Sequence, residues 1–176
     1  MIFEMNKILK LLTPFTEKDV SGLKVGDVVS ITGFVFCGRD AVLPRICKEL
    51  EAGTWGKRGI DLRGGVIFHT AVSPAGVGPT SSNKLEIESS FETLSKLGGI
   101  KMHLGKGAIN LETVKKLSDN NAVFAIIPPV TALLESQTVE RECVAWSELG
   151  MEALYRIKVE NYQAIIASAK GESIYG

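Results

Sequence analysis

Along the chain, runs of β-branched and aromatic residues alternate with stretches whose apolar positions recur at helical spacing. Residues 28–36, Val-Val-Ser-Ile-Thr-Gly-Phe-Val-Phe, predict a buried strand. From 39 to 52, Ala41, Leu43, Ile46, Cys47 and Leu50 follow a helical repeat, and Pro44 puts the start of that helix near itself. Thr16-Glu17-Lys18-Asp19 sets a carboxylate three positions after a hydroxyl, close to a capping box, which predicts a short helix. Residues 7–15 fit either a strand or a short helix, and 23–27 read as a turn. Further along, 65–70 predicts a short buried strand, 71–83 a long Gly/Pro/Ser loop, and 91–97 a helix ending at Gly98-Gly99. Residues 100–104 predict a strand running into Gly105-Lys106-Gly107. Asn110 caps a helix through Leu117, and 122–127 predicts a strand stopped by Pro128-Pro129. Residues 138–146, 154–159 and 164–169 then follow one another as strands without helices between them, the last closed by Lys170-Gly171-Glu172. No repeat, low-complexity tract or linker interrupts this order. It predicts one α/β domain over residues 1–176 with an antiparallel C-terminal part, residues 1–11 forming a flexible or strand-forming extension.

Composition narrows the function classes. The 176 residues carry 20 Lys+Arg against 20 Asp+Glu, so the chain lacks the basic excess of a nucleic-acid binder. No apolar run approaches the roughly 18 residues of a membrane span. The N-terminal stretch has Glu4 early and no small-residue cleavage site, so the expected location is the cytoplasm. Cys37, Cys47 and Cys143 are too few for a disulfide framework, and their spacing matches no zinc or iron–sulfur ligand pattern. With only His69 and His103 beside them, all five are expected to pack in or near the core.

Glycine is the skewed count, at 18, and it clusters in three loops after predicted strands. These are Gly38-Arg39-Asp40, residues 76–84 (Gly-Val-Gly-Pro-Thr-Ser-Ser-Asn-Lys) and Gly105-Lys106-Gly107. Glycine lets a backbone approach a ligand, and the adjacent Arg or Lys supplies charge for a carboxylate or phosphate. Singly, a Gly-Lys-Gly is ordinarily a solvated turn; three such loops in a neutral chain point to a small-anion site. A P-loop fails, because five residues separate Gly99 from Gly105 and Gly107 follows Lys106. The dinucleotide fingerprint fails too, since 76–81 lacks its third Gly and contains Pro79. Cys37 precedes a cation, Arg39, but ends an apolar strand with no His near in sequence, a weak setting for a nucleophile.

Taken together, 26–33 (Gly-Asp-Val-Val-Ser-Ile-Thr-Gly), Arg39-Asp40-Ala41, Asp61-Leu62-Arg63-Gly64, Gly78-Pro79-Thr80-Ser81 and Gly105-Lys106-Gly107 resemble, in order and spacing, the β subunit of class I iron–sulfur fumarate hydratases. The β subunit of L(+)-tartrate dehydratase is the same module. The tail is similar as well, in 146–153 (Trp-Ser-Glu-Leu-Gly-Met-Glu-Ala) and Ser173-Ile174-Tyr175. The resemblance implies a swivelling β/β/α three-layer fold with a mixed sheet, packed on an α subunit in an α2β2 assembly. That partner would hold the [4Fe–4S] cluster, with no metal on this chain. It further implies a C4 dicarboxylate substrate, with Arg39, Lys84 and Lys106 binding it and Thr80 handling the C3 proton. Gly78, Ser81, Gly105 and Gly107 would support the loops. Fumarate hydration to (S)-malate is the implied reaction; tartrate dehydration, or a non-catalytic anion-binding or assembly module, are the alternatives. Three positions depart from the family's pattern: Lys84 stands for an Arg, Leu43 for a His, and Pro128-Pro129-Val130 for a Gly-Gly-Ala stretch. Lys84 keeps the charge and loses the bidentate fork, which leaves room for a divergent substrate.

Overall fold

The computed structural model describes residues 7–73, 76–79, 84–105, 109–127 and 137–174. The first half runs β1 (Leu9–Leu12), α1 (Glu17–Ser21), β2 (Val28–Cys37), α2 (Leu43–Ala52), β3 (Val66–Phe68), β4 (Thr70–Ser73) and β5 (Gly76–Pro79). It continues with α3 (Lys84–Lys96), β6 (Met102–Gly105), α4 (Leu111–Asp119), β7 (Val123–Ile126), β8 (Thr138–Ala145), β9 (Leu154–Ala169) and β10 (Glu172–Ser173). Short 3-10 turns cover Trp55–Arg58 and Ser147–Glu152. The fold is α/β with a mixed sheet, as expected. Among the described residues no helix is long and apolar enough to cross a membrane.

Five strands, β1-β2-β3-β6-β7, lie parallel in that order, joined after β2 by α2, α3 and α4 as crossover helices. The long β9 then runs antiparallel to both β2 and β7. Because β2 and β7 already belong to one sheet, this double pairing closes β2, β3, β6, β7 and β9 into a ring. Side chains alternate across its wall. Val29, Ile31, Val35, Val66, Phe68, Met102, Leu104, Val123 and Ala125 fill the inside, while Phe36, Ile67 and Phe124 face the helices with Val42, Leu43, Ile46, Phe91, Leu94 and Leu117. Strands buried on both faces read as continuous apolar runs, which is why they are legible in the sequence.

Period-2 alternation fails in the middle of β9, and there the sequence misleads. Residues 154–159 and 164–169 are expected as two strands, whereas β9 runs unbroken through both. Ile31 pairs with Tyr162 but Gly33 pairs with Val159, so β9 carries one extra residue there. Asn161 takes φ 52°, the left-handed conformation of a bulge. The extra residue flips the parity, so Ile157 and Val159 before it and Tyr162, Ala164 and Ile166 after it all point inward. Three further expectations are corrected. The 71–83 loop contains the β4–β5 hairpin, and α3 begins at Lys84 rather than at 91. Cys143 is exposed rather than packed, because among the described residues β8 pairs only with β9 and most of its residues face solvent. The strand reading of 7–15 is the one the structure takes, with Leu9–Leu12 pairing β2. The Thr16 capping box forms, Asp19 N–H donating to Thr16 Oγ1 at 3.1 Å and Thr16 N–H to Asp19 Oδ2 at 2.9 Å.

Gly33 sits opposite the bulge at φ +123°, where a Cβ would run into Thr13 Oγ1. Gly33→Ala is expected to cost about 2 kcal/mol or more, from backbone strain and overpacking together. Gly56→Ala is the control, since nothing lies within 4 Å of a Cβ there, and it should stay within about 0.5 kcal/mol. Urea unfolding midpoints check both, and equal midpoints would contradict the packing at the bulge.

Candidate functional site

The parallel strands end at one level. Gly38 N–H donates to Phe68 O at 3.1 Å, His69 N–H to Leu104 O at 3.0 Å, and Ile127 N–H to Gly105 O at 3.3 Å. These bonds tie β2, β3, β6 and β7 together just where each strand gives way to its loop. The loops therefore start as neighbours, at the roughly 4.8 Å spacing of paired strands. They are the Arg39 loop, the β4–β5 hairpin and the segment beginning at Gly105. Carboxyl ends of strands are where open α/β sheets place ligands. Gly105 packs closely, since a Cβ there would stand 3.3 Å from Phe124 Cζ and the ring would have to give by a few tenths of an ångström.

Of the expected site residues, Arg39 is placed in full. Its side chain is four-fifths buried and forms a two-point fork with Glu152, Nε donating to Oε2 at 3.0 Å and Nη2 reaching Oε1 at 2.9 Å. Asp40 Oδ1 stands 3.6 Å from Nε. Gly78 lies in β5 opposite Ala71, and Pro79 pairs with Thr70, the residue after His69. Lys84 is the first residue of α3. Thr80, Ser81, Lys106 and Gly107 lie outside the described residues, as does Pro128-Pro129-Val130. Leu43, in the position of the family's His, is fully buried among the helix-facing residues, where an apolar side chain packs without a partner.

Both histidines lie beside these loops, on the helix-facing side of β3 and β6. His69 and His103 stack at 5.7 Å between centroids, and Phe91 of α3 packs against both rings at 4.8 and 4.2 Å. His103 Nε2 shares a 2.9 Å hydrogen bond with Ser95 Oγ, while among the described residues neither ring nitrogen of His69 has a partner. Burial pushes the His69 pKa down to about 3 and holds His103 well below its ordinary value. Both rings are therefore neutral at physiological pH.

Burial likewise raises the Cys37 thiol far above the ordinary range, so it is no nucleophile. Among the described residues no three His, Cys, Asp or Glu side chains are grouped to hold a metal ion. At the opposite end of the parallel strands, a cleft of about 440 Å³ is lined by Trp55, Asp61, Arg63 and Gly98 among others. Its charges satisfy one another. Arg63 donates from Nε and Nη2 to Asp61 at 3.0 and 2.9 Å, and this pairing holds the Asp61 carboxyl down at about 2. The Asp61-Leu62-Arg63-Gly64 motif is thus a turn-forming device.

Sequence reasoning singled out the 146–153 tail without giving Glu152 a task. Glu152 lies 113 residues from Arg39, and nothing local marks the pair.

Comparison with known proteins adds the following. The family model described as Fumarase C-terminus matches residues 4–176. The L(+)-tartrate dehydratase subunit beta of Escherichia coli K12 is 34% identical over 178 residues, covering 93% of this chain and 83% of that protein. A provisionally named L(+)-tartrate dehydratase subunit beta of Methanocaldococcus jannaschii is 31% identical, covering 91% of this chain and 87% of its own length. A provisionally named class I fumarate hydratase of Geobacillus stearothermophilus is 27% identical across 96% of this chain, which spans 34% of that longer protein.

The two buried imidazoles set a pH dependence. Unfolded, each takes up a proton near pH 6.5; folded, His69 resists protonation down to about pH 3. Between these values the unfolded state binds more protons, so stability is complete above about pH 7 and falls as pH falls. Each ring should remove about 1 kcal/mol per pH unit below pH 6. Urea unfolding at about pH 7.5 and pH 5 measures this, and His69→Phe should lessen the slope; an unchanged slope would contradict the burial described.

Proposed function

The chain belongs to the fumarase C-terminus family, and from that premise we propose that it is the β subunit of an iron–sulfur hydro-lyase acting on a four-carbon dicarboxylate. Fumarate and (S)-malate are the first candidates and L(+)-tartrate the alternative. One observation carries the reading: the Arg39 loop, the hairpin that leads into Thr80 and the segment that leads into Lys106 all leave the sheet at one end, at one level.

Binding a dicarboxylate requires cations for two negative groups. Arg39 takes one carboxylate, and Lys84 and Lys106 serve the second. Lys84 brings charge without a fork, so its hold is less directional than an Arg's would be. The C3 proton is weakly acidic until the neighbouring carboxylate gains enolate character, and these cations stabilise that charge as it develops. Thr80 moves the proton at C3. A hydroxyl is a feeble base by itself, so a charged group from the partner has to act on it.

Cys37, Cys47, His69 and His103 are buried, Cys143 is exposed, and among the described residues no three His, Cys, Asp or Glu side chains are grouped to hold a metal ion. On this reading the [4Fe–4S] cluster belongs to the α subunit, where it would supply the Lewis acid for the C2 hydroxyl. The two chains make an α2β2 enzyme of the cytoplasm on this reading.

The test is co-expression with the α subunit, anaerobic cluster reconstitution, and assay of malate and L(+)-tartrate dehydration. Thr80→Ala should lower kcat by about 100-fold or more while KM stays within a few-fold. An unchanged kcat removes Thr80 from the mechanism, and inactivity of the intact complex on both substrates overturns the reading.

A further inference from the structure

The tail motif at 146–153 has a task of its own at the mouth of the site. Two parallel bonds join Arg39 and Glu152, 3.0 Å from Nε and 2.9 Å from Nη2. A two-point contact between a planar guanidinium and a planar carboxylate fixes the guanidinium's plane as well as its place. Asp40, at 3.6 Å from Nε alone, adds charge without setting an orientation.

Glu152 is itself held by a rigid base. It ends the Ser147–Glu152 turn, whose backbone bends at Trp146 (φ 56°, ψ 47°) and at Gly150 (φ 60°, ψ −123°). The second of these conformations is essentially restricted to glycine. Ala153 N–H and the Tyr155 hydroxyl both donate to Gly150 O, at 3.1 and 3.3 Å. Below the turn the Trp146 ring lies under the Arg58 guanidinium, 4.3 Å from its centroid, and 6.3 Å from Trp55. The same turn packs against β4, the first strand of the hairpin that leads into Thr80. One rigid turn thus braces two of the three loops at the strand ends.

We infer that Glu152 is a positioning residue of the dicarboxylate site: by clamping the Nε–Nη2 edge of Arg39 it fixes the direction in which Arg39 presents its donors to a substrate carboxylate. The inference rests on the reading that Arg39 binds substrate. With 20% and 31% of the two side chains exposed, the pair is only partly withdrawn from water, and its two-point geometry is what sets it apart from an ordinary ion pair. An arginine on a loop has several rotatable bonds to order when it binds an anion, and a clamp that orders them beforehand is felt as affinity.

Succinate, an unreactive four-carbon dicarboxylate, probes this by calorimetry on the co-purified αβ complex in wild type, Arg39→Ala, Glu152→Gln and the double variant. Glutamine keeps the length of the side chain and removes the charge and one acceptor. Arg39→Ala should weaken succinate binding by about 100-fold, and Glu152→Gln by on the order of tenfold. The double variant should bind no more weakly than Arg39→Ala, because Glu152 acts only through Arg39. The melting temperature of Glu152→Gln should stay within about 2 °C of wild type. Unchanged affinity in Glu152→Gln beside a weakened Arg39→Ala overturns this inference and leaves the dicarboxylate reading intact. A Glu152 effect that persists in the Arg39→Ala background overturns it as well. Wild-type affinity in Arg39→Ala overturns the role of Arg39 and the inference with it.

Discussion

The structure depends on one pairing, that of β2 with β9. These two long strands share a ladder from Val28↔Ile165 to Cys37↔Tyr155, and every other strand of the large sheet attaches to one of them or bridges between them. The ladder works only because β9 carries an extra residue at its middle. Without the Asn161 bulge, a strand of strict period two would turn either Ile157 and Val159 or Tyr162, Ala164 and Ile166 out of the interior. Burying one such side chain is worth about 2 kcal/mol, so the register with the bulge wins by a wide margin. Gly33 faces the bulge because the close approach of Thr13 leaves no space for a Cβ.

Closure of the ring has a consequence for function. With β2, β3, β6 and β7 held parallel and level, the three glycine-bearing loops start from neighbouring strand ends. Of the cations in these loops Arg39 stands at that end, while charges elsewhere satisfy one another, as Arg63 and Asp61 do at the opposite end. The Arg39–Glu152 fork belongs to the same logic. A rigid turn following β8 reaches back to orient the cation following β2, and the sheet fixes the distance between them.

Much of this is legible in the sequence, for definite reasons. Strands buried on both faces are continuous apolar runs, so β2, β3, β6 and β7 are found from composition alone. The Thr16 capping box, Pro44 at the start of α2 and Asn110 before α4 mark helix starts through local chemistry, and all three stand where expected. Three glycine loops and the resemblance they carry lead to the family. What escapes is what local pattern cannot encode. The bulge at Asn161 looks like a break because its polar residue stands between two phases of alternation. The β4–β5 hairpin is short and built from Gly, Pro, Ala, Ser, Thr and Val, so it reads as loop. Cys143 is exposed because β8 has a single partner strand, a property of the sheet rather than of the segment. The pairing of Arg39 with Glu152 spans the chain and is created by the fold.

On the proposed function, this chain is half of an active site, holding the dicarboxylate while the partner brings the iron. Titrating the cluster-loaded α subunit with this chain, and following dehydration of malate and L(+)-tartrate at each ratio, tests it most directly. Neither chain alone should turn over, and the rate should rise with added chain until the two are about equimolar. Turnover by the α subunit alone at the rate of the mixture would contradict it.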